Sequence, residues 1–305
     1  MAIIIEKQTF NCENGKNNSK LEKEYIYWQA HQSTSTILPE NTMAAFLYAW
    51  NLGGIPEADI RTAGDGVIIC MHDSTPARTI DIPDSQKNLI VSSFTLEQIK
   101  KWDAGIKTGE AYKNERVPTL EKVFENMRNQ KDRLLYLDLK DVDLDSLANL
   151  IEEYSIADQI IFTHNNEENC RKMHEMVKGL RTMLWIGGSP DRIKDKFNKV
   201  LSEKFYGLNQ VQIHLYNKEN PYTSGGLVTK EYPTTNESPE SLDWPYQIDK
   251  AFLEDAYDKA VLADIDLEVL PYEFDDRTLH SLLDIGIRWF AVDYPEKFVQ
   301  TVKRY

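Results

Sequence analysis

The chain has 305 residues, 41% of them apolar and 10% aromatic, with a formal net charge of −14. That length and apolar share suit one large barrel-type domain or two ordinary ones. The acidic balance argues against a nucleic-acid partner, because such binding draws on basic side chains that neutralise phosphates, and against broad adhesion to anionic membrane surfaces.

From the N-terminus, residues 1–24 are polar and rich in Asn and Lys (NCENGKNNSKLEKE) and read as an N-terminal arm or a disordered lead-in. The apolar run Ile3 to Ile5 is too short for a signal peptide and has no basic region before it. No stretch approaches the ~18 apolar residues of a membrane span. Cys12, Cys70 and Cys170 are widely spaced and odd in number, which predicts a reduced, cytoplasmic chain with neither a disulfide framework nor a zinc site.

From residue 25 short apolar runs alternate with amphipathic segments. EYIYWQAH leads into PENTMAAFLYAWNLG and then IPEADI. RLLYLDLK is followed by VDLDSLANLIEEY, QIIFTH by NNEENCRKMHEMVKG, and LRTMLWI by SPDRIKDKFNKVLSEKF. GLNQVQIHL, IDKAFLEDAYDKAVLAD, IDLEVL, DDRTLHSLLDIG and IRWFAVD complete the series. Roughly eight strands, each with a helix to follow, predict the α/β class: a closed eight-stranded parallel (β/α) TIM barrel over residues 25–305. An open doubly wound sheet is the alternative, but no GxGxxG follows the first strand. Residues 74–118 interrupt the rhythm after the second strand and read as an insertion. Residues 215–248, rich in Pro, Gly, Ser, Thr and Asn, predict a long functional or flexible loop.

In a parallel barrel, chemistry collects at the C-terminal strand ends, and residues two apart share a face. Glu57 and Asp59 in IPEADI meet that condition, as do Asp138 and Lys140 in LYLDLK, and Gln29 and His31 in YWQAH. His72 closes the run GVIICMHD. Three carboxylates without a thiolate form the ligand set of one hard divalent cation, Mg2+ or Ca2+. Taken singly, each of these residues is more often a solvated or structural side chain than a ligand. Spacing alone narrows the field without deciding it.

The ordered combination of these segments resembles the glycerophosphodiester phosphodiesterase family. AHQSTSTILPENTMAAF keeps the interval from the family's first histidine to its Pro-Glu-Asn-Thr. EADIRTAGDGVIICMHD carries Glu-x-Asp and closes on His-Asp. Arg78 and Thr79, TLEQIKKWDAG, RVPTLEKVF, Asp138-x-Lys140 and the Asp293-x-Pro295 of GIRWFAVDYPEKF follow in the family's order. The likeness spans residues 25–298 and is densest from 31 to 140. It implies the eight-stranded barrel, a divalent ion held by Glu57, Asp59 and Asp138, and acid–base catalysis by His31 and His72. It also implies phosphate binding by Lys140 and Gln32, and cleavage of a small glycerophosphodiester to an alcohol and glycerol 3-phosphate.

Four departures accompany it. Gln32 replaces the family's arginine and offers phosphate one neutral amide instead of a charged fork. Ser33 replaces a glycine. Asp138 replaces a glutamate, one methylene longer. LEVLPYEFDD, with Glu268, Tyr272 and Glu273, stands where the family has Trp-Thr-Val-Asn. These departures keep two alternatives open: a lysophospholipid-type phosphodiesterase or lyase on the same barrel, and a degenerate member that only binds ligand. A barrel glycosidase would need an acid and a base about 5 to 9.5 Å apart and would leave both histidines without a role.

Overall fold

Alternation along each strand decides the architecture: every second residue faces a helix layer and the others face the barrel axis. The computed structural model describes residues 2–13, 16–33, 38–219 and 244–305. In chain order the elements are β1 (Ile3–Glu13), β2 (Lys16–Ala30), α1 (Met43–Asn51), β3 (Ile55–Thr62), β4 (Ile68–Cys70), α2 (Leu96–Ile99), α3 (Leu120–Met127) and β5 (Leu135–Asp141). Then come α4 (Leu144–Tyr154), β6 (Ile160–His164), α5 (Glu167–Met176), β7 (Arg181–Ile186), α6 (Pro190–Ser202) and β8 (Gln210–Leu215). The chain ends with α7 (Lys250–Leu262), β9 (Asp266–Pro271), α8 (Asp276–Ile285), β10 (Trp289–Val292) and α9 (Pro295–Val302).

Strands β2, β3, β5, β6, β7, β8, β9 and β10 pair in parallel, and the β10–β2 and β2–β3 pairings close them into the eight-stranded barrel. Two further strands are antiparallel additions: β1 on β2, and β4 on β3. Outward-facing Ala58 and Ile60, Leu137 and Leu139, Val211 and Ile213, and Phe290 and Val292 are buried in one continuous core with the helices. Helix starts are fixed locally. The side chains of Asp143, Ser189, Asp249 and Asp275 each accept from the backbone amide three residues on, which satisfies an otherwise orphaned donor. Among the described residues, no helix is long and apolar enough to cross a membrane. Cys70 and Cys170 are buried and free.

Two sequence expectations need revision. The polar lead-in, read as an arm or a disordered segment, is strand over residues 3–13 and from residue 16 on, with Ile3 opposite Ile26 and Glu13 opposite Lys16. Its Asn14-Gly15 dipeptide is a hairpin signal that average composition hides. The strand leading to His72 ends at Cys70 and runs antiparallel to β3, so His72 follows an added strand ahead of the insertion and not one of the barrel's eight parallel strands. Most of the loop expected at 215–248 lies outside the described residues. Its return is described: Tyr246 is buried, and Asn217 bridges to it.

The inner face is unusually polar. Below the mouth, Ile55, Tyr136, Ile161, Met183 and Trp289 form an apolar plug. Beside it Glu268, fully buried, accepts from Gln210 Nε2 at 2.7 Å and from Tyr136 Oη at 3.4 Å. Glu268 Oε1 and Gln210 Oε1 have no partner, so this group of acceptors is short of donors. Burial above all pushes Glu268 from 4.5 to about 8, with Glu57 adding to it. An acid raised in the fold stabilises it below the unfolded value, and that stability is lost as pH rises through the folded value. Glu268→Gln supplies an amide donor and removes the ionisation. It is expected to raise the melting temperature relative to wild type by an amount that grows from pH 5 to pH 8 and then levels. Scanning calorimetry across that range checks it, and a pH-independent difference would refute it.

Candidate active site

The period of two brings Glu57 and Asp59 onto the inner face of β3, and the parallel register sets Asp59 directly beside Asp138 of β5. All three are buried, and each offers a carboxylate oxygen within 4.8 Å of the others'. Three acids this close in a low dielectric cannot all hold charge unaided. Burial carries Glu57 up to about 7, with Asp59 and Asp138 adding to the rise and His31 opposing it. Burial likewise raises Asp138. At Asp59 burial is outweighed by Lys140, His72 and Asn41, and the carboxyl is lowered.

Lys140 lies across two of the three, its Nζ 2.5 Å from Asp138 Oδ2 and 3.2 Å from Asp59 Oδ1. Burial works against its charge, but Asp59, Asp138 and Glu57 hold its pKa above the usual value. The donor set, all carboxylate oxygen with no thiolate, fits a hard divalent ion, and such an ion would relieve the crowding that raises Glu57 and Asp138.

The supporting contacts are specific. Asn41 Nδ2 donates to Asp59 Oδ2 at 2.7 Å, and Asn41 Oδ1 accepts from the Asp59 amide at 2.9 Å. Gln32 donates its backbone N–H, not its side chain, to Glu57 Oε2 at 2.6 Å. It does so from a left-handed backbone with φ 52°. His31, at the end of β2, pairs its Nδ1 with Asp293 Oδ1 at 2.7 Å. Burial opposes charge on this imidazole, but Glu57, Asp293 and Asp59 prevail and lift it to about 9.

His72 makes the matching contact on the far side, Nδ1 to Asp73 Oδ1 at 2.8 Å. Asp73 is in turn held by Arg78, which also grips Glu40 with two nitrogens at 2.6 Å. Arg61, two residues beyond Asp59, donates to the His72 carbonyl from Nε and Nη2 at 3.0 and 2.7 Å. A carboxylate on Nδ1 fixes the tautomer of each ring and leaves Nε2 for chemistry.

All seven residues named from the sequence therefore lie at or beside one mouth. Six come from β2, β3 and β5 or the residues just after them, and His72 from the segment that follows β4. Sequence reasoning gave no role to Asn41, Asp73, Asp293 or Arg61, although all four sit inside quoted motifs. Asn41→Gly keeps its left-handed φ of 54° accessible while deleting the amide. It is expected to weaken Mg2+ binding by about 10–100-fold, the usual cost of losing a partner that orients a ligand. Titration calorimetry with Mg2+ measures it, and an unchanged affinity would show that Asp59 needs no such support.

The family model for the glycerophosphoryl diester phosphodiesterase family matches residues 31–297. The chain belongs to that family. It is similar to the glycerophosphodiester phosphodiesterase of Caldanaerobacter subterraneus subsp. tengcongensis, 38% identical over 163 residues, 51% of this chain and 64% of the relative. The chain thus matches a little under two thirds of that relative's length. A glycerophosphodiester phosphodiesterase of Bacillus subtilis is 28% identical over 250 residues, covering 73% of this chain and 82% of its own. Among solved structures, an Oleispira antarctica phosphodiesterase in complex with the product sn-glycerol-3-phosphate superposes with a TM-score of 0.66 at 19% identity. That match covers 91% of this chain and 96% of the other. At that identity the likeness speaks for the barrel, and family membership rests on the sequence match.

Proposed function

We propose that this chain is a metal-dependent phosphodiesterase that cleaves glycerophosphodiesters to an alcohol and glycerol 3-phosphate. The observation that carries the reading is a carboxylate triad flanked by two histidines, each with Nδ1 on its own aspartate. A glycosidase would have no use for the second half of that arrangement. Glu57, Asp59 and Asp138 would hold the ion, Mg2+ or Ca2+, which when bound neutralises phosphate charge and polarises the phosphoryl oxygen.

The chain's own residues do the rest. Lys140 sits among the carboxylates as a point charge that would bind a phosphate oxygen, and Gln32 would offer phosphate a neutral amide. His31, oriented through Nδ1 by Asp293, is the general acid that protonates the leaving alkoxide. His72 is the base that takes a proton from the nucleophile.

Gln32 costs the site a charged grip, but the backbone N–H that orients Glu57 does not depend on that side chain. This favours an active enzyme over a degenerate binder. The test is release of glycerol 3-phosphate from glycerophosphodiesters with Mg2+, with Ca2+ and with chelator. Metal-dependent turnover is expected, abolished by chelator. Tight metal binding without any turnover would sink the reading. A cyclic phosphate product would assign the chain to the lyase alternative, in which an internal hydroxyl attacks.

A further inference from the structure

The ends of β7, β8 and β9 contribute four aromatic rings that the proposed chemistry leaves without a task. Trp185 stacks on His214 with centroids 5.2 Å apart and planes at 9°. Tyr272 meets His214 edge-on at 5.7 Å and stacks on Tyr216 at 4.9 Å. The group abuts the acid cluster, since Trp185 Nε1 points to Asp138 Oδ1 at 3.4 Å. Gly187 makes the packing possible: a Cβ there would lie 2.8 Å from His214 Nδ1 and 3.0 Å from the Tyr216 hydroxyl.

The polar atoms of this wall turn inward. His214 Nε2 donates to Gln212 Oε1 at 2.9 Å, and Gln212 Nε2 donates to Gln29 Oε1 at 3.0 Å. That arrangement leaves His214 Nδ1 an acceptor, approached by the Tyr272 and Tyr216 hydroxyls at 3.1 and 3.2 Å. Burial first, with His31 adding to it, lowers His214 to about 3, so the ring is neutral and repels no cation. What the wall offers is aromatic surface: His214 and Tyr216 are nearly covered, while Trp185 and Tyr272 are partly exposed.

We propose that the Trp185–His214–Tyr216–Tyr272 wall is a leaving-group subsite for a quaternary ammonium head group. The inference rests on the phosphodiesterase reading above and names the substrate class of that same site. A quaternary ammonium has no N–H to satisfy and is attracted to aromatic faces. A primary ammonium or a glycerol hydroxyl would give up hydrogen bonds to water at a wall whose hydroxyls point to His214.

The experiment is steady-state kinetics of the Mg2+-loaded protein on glycerophosphocholine, glycerophosphoethanolamine and glycerophosphoglycerol. Wild type is expected to prefer the choline diester in kcat/KM by about tenfold, within the range of a desolvated cation–π contact. Tyr272→Leu and Tyr216→Leu are expected to bring the choline-to-ethanolamine ratio near one, and Tyr272→Phe, which keeps the ring, to preserve it. A ratio near one in wild type overturns the inference. So does a leucine variant that loses all three substrates equally, because the wall would then serve the shared glycerol or the fold alone. Absence of turnover on every substrate would overturn the phosphodiesterase reading itself, and the subsite with it.

Discussion

Replacing His31 with alanine is expected to lower kcat by about 10²–10⁴-fold on a glycerophosphodiester, the usual contribution of a positioned acid or base, with Mg2+ affinity little changed. The assignment of roles can be tested in the same series. Loss of a general acid matters most when the leaving alkoxide is strongly basic. His31→Ala should therefore lose far less on an activated diester with a p-nitrophenolate leaving group than on one that releases an alkoxide. His72→Ala should lose similar factors on both, because its proton comes from the nucleophile. Interchanged patterns would exchange the roles, and equal, small losses for both variants would remove histidines from the chemistry. Asp293 meets His31 through Nδ1. For that reason Asp293→Asn, which still accepts a hydrogen bond but withdraws the charge, is expected to lose less than His31→Ala.

How much of this was legible in the sequence follows from the physics of each element. The barrel strands announced themselves because their period of two is absolute: Glu57 and Asp59 cannot share an inner face unless Ala58 and Ile60 go outward into the helix layer, where both are buried. Asp138 joined them because a parallel neighbour repeats the same alternation in register. The family resemblance gathered the same residues by motif, and the match over residues 31–297 agrees with it.

Less legible was whatever depends on contacts between distant segments. Asp293 is 262 positions from His31, and no local pattern links them. Asn41 shapes Asp59 through two reciprocal hydrogen bonds across 18 positions. The antiparallel pairing of β1 with β2 was hidden for another reason: the polarity of the whole window outvoted any strand pattern within it. Gln32 looked like a lost phosphate grip, and the sequence could not reveal that its backbone already had work to do on Glu57. The aromatic wall was only partly legible: His214 and Tyr216, two apart at the end of β8, share a face, but Trp185 and Tyr272 join them from other strands.

The carboxylate triad makes the other large expectation, with two effects of opposite sign. Glu57→Gln is expected to lower kcat/KM by about 10³-fold or more, since charge stabilisation by the ion is worth several kcal/mol at about 1.4 kcal/mol per tenfold. In chelator the same variant is expected to melt above wild type. Glu57 is buried against Asp59 and Asp138 and lifted to about 7 by burial and by them, so a neutral amide removes repulsion that the ion would otherwise relieve. Its oxygen can still accept from the Gln32 amide, so the loop is not released. With Mg2+ added the order should reverse. Wild type gains stability by mass action, about 2.7 kcal/mol at a hundredfold excess over Kd, and the variant gains little. Thermal denaturation of both proteins at pH 8, in chelator and in Mg2+, gives the four melting temperatures needed. Crossing of the two orders ties the crowded acids to an ion. If the variant were less stable under both conditions, Glu57 would be a structural carboxylate, and the case for a metal at this mouth would fall to Asp59 and Asp138 alone.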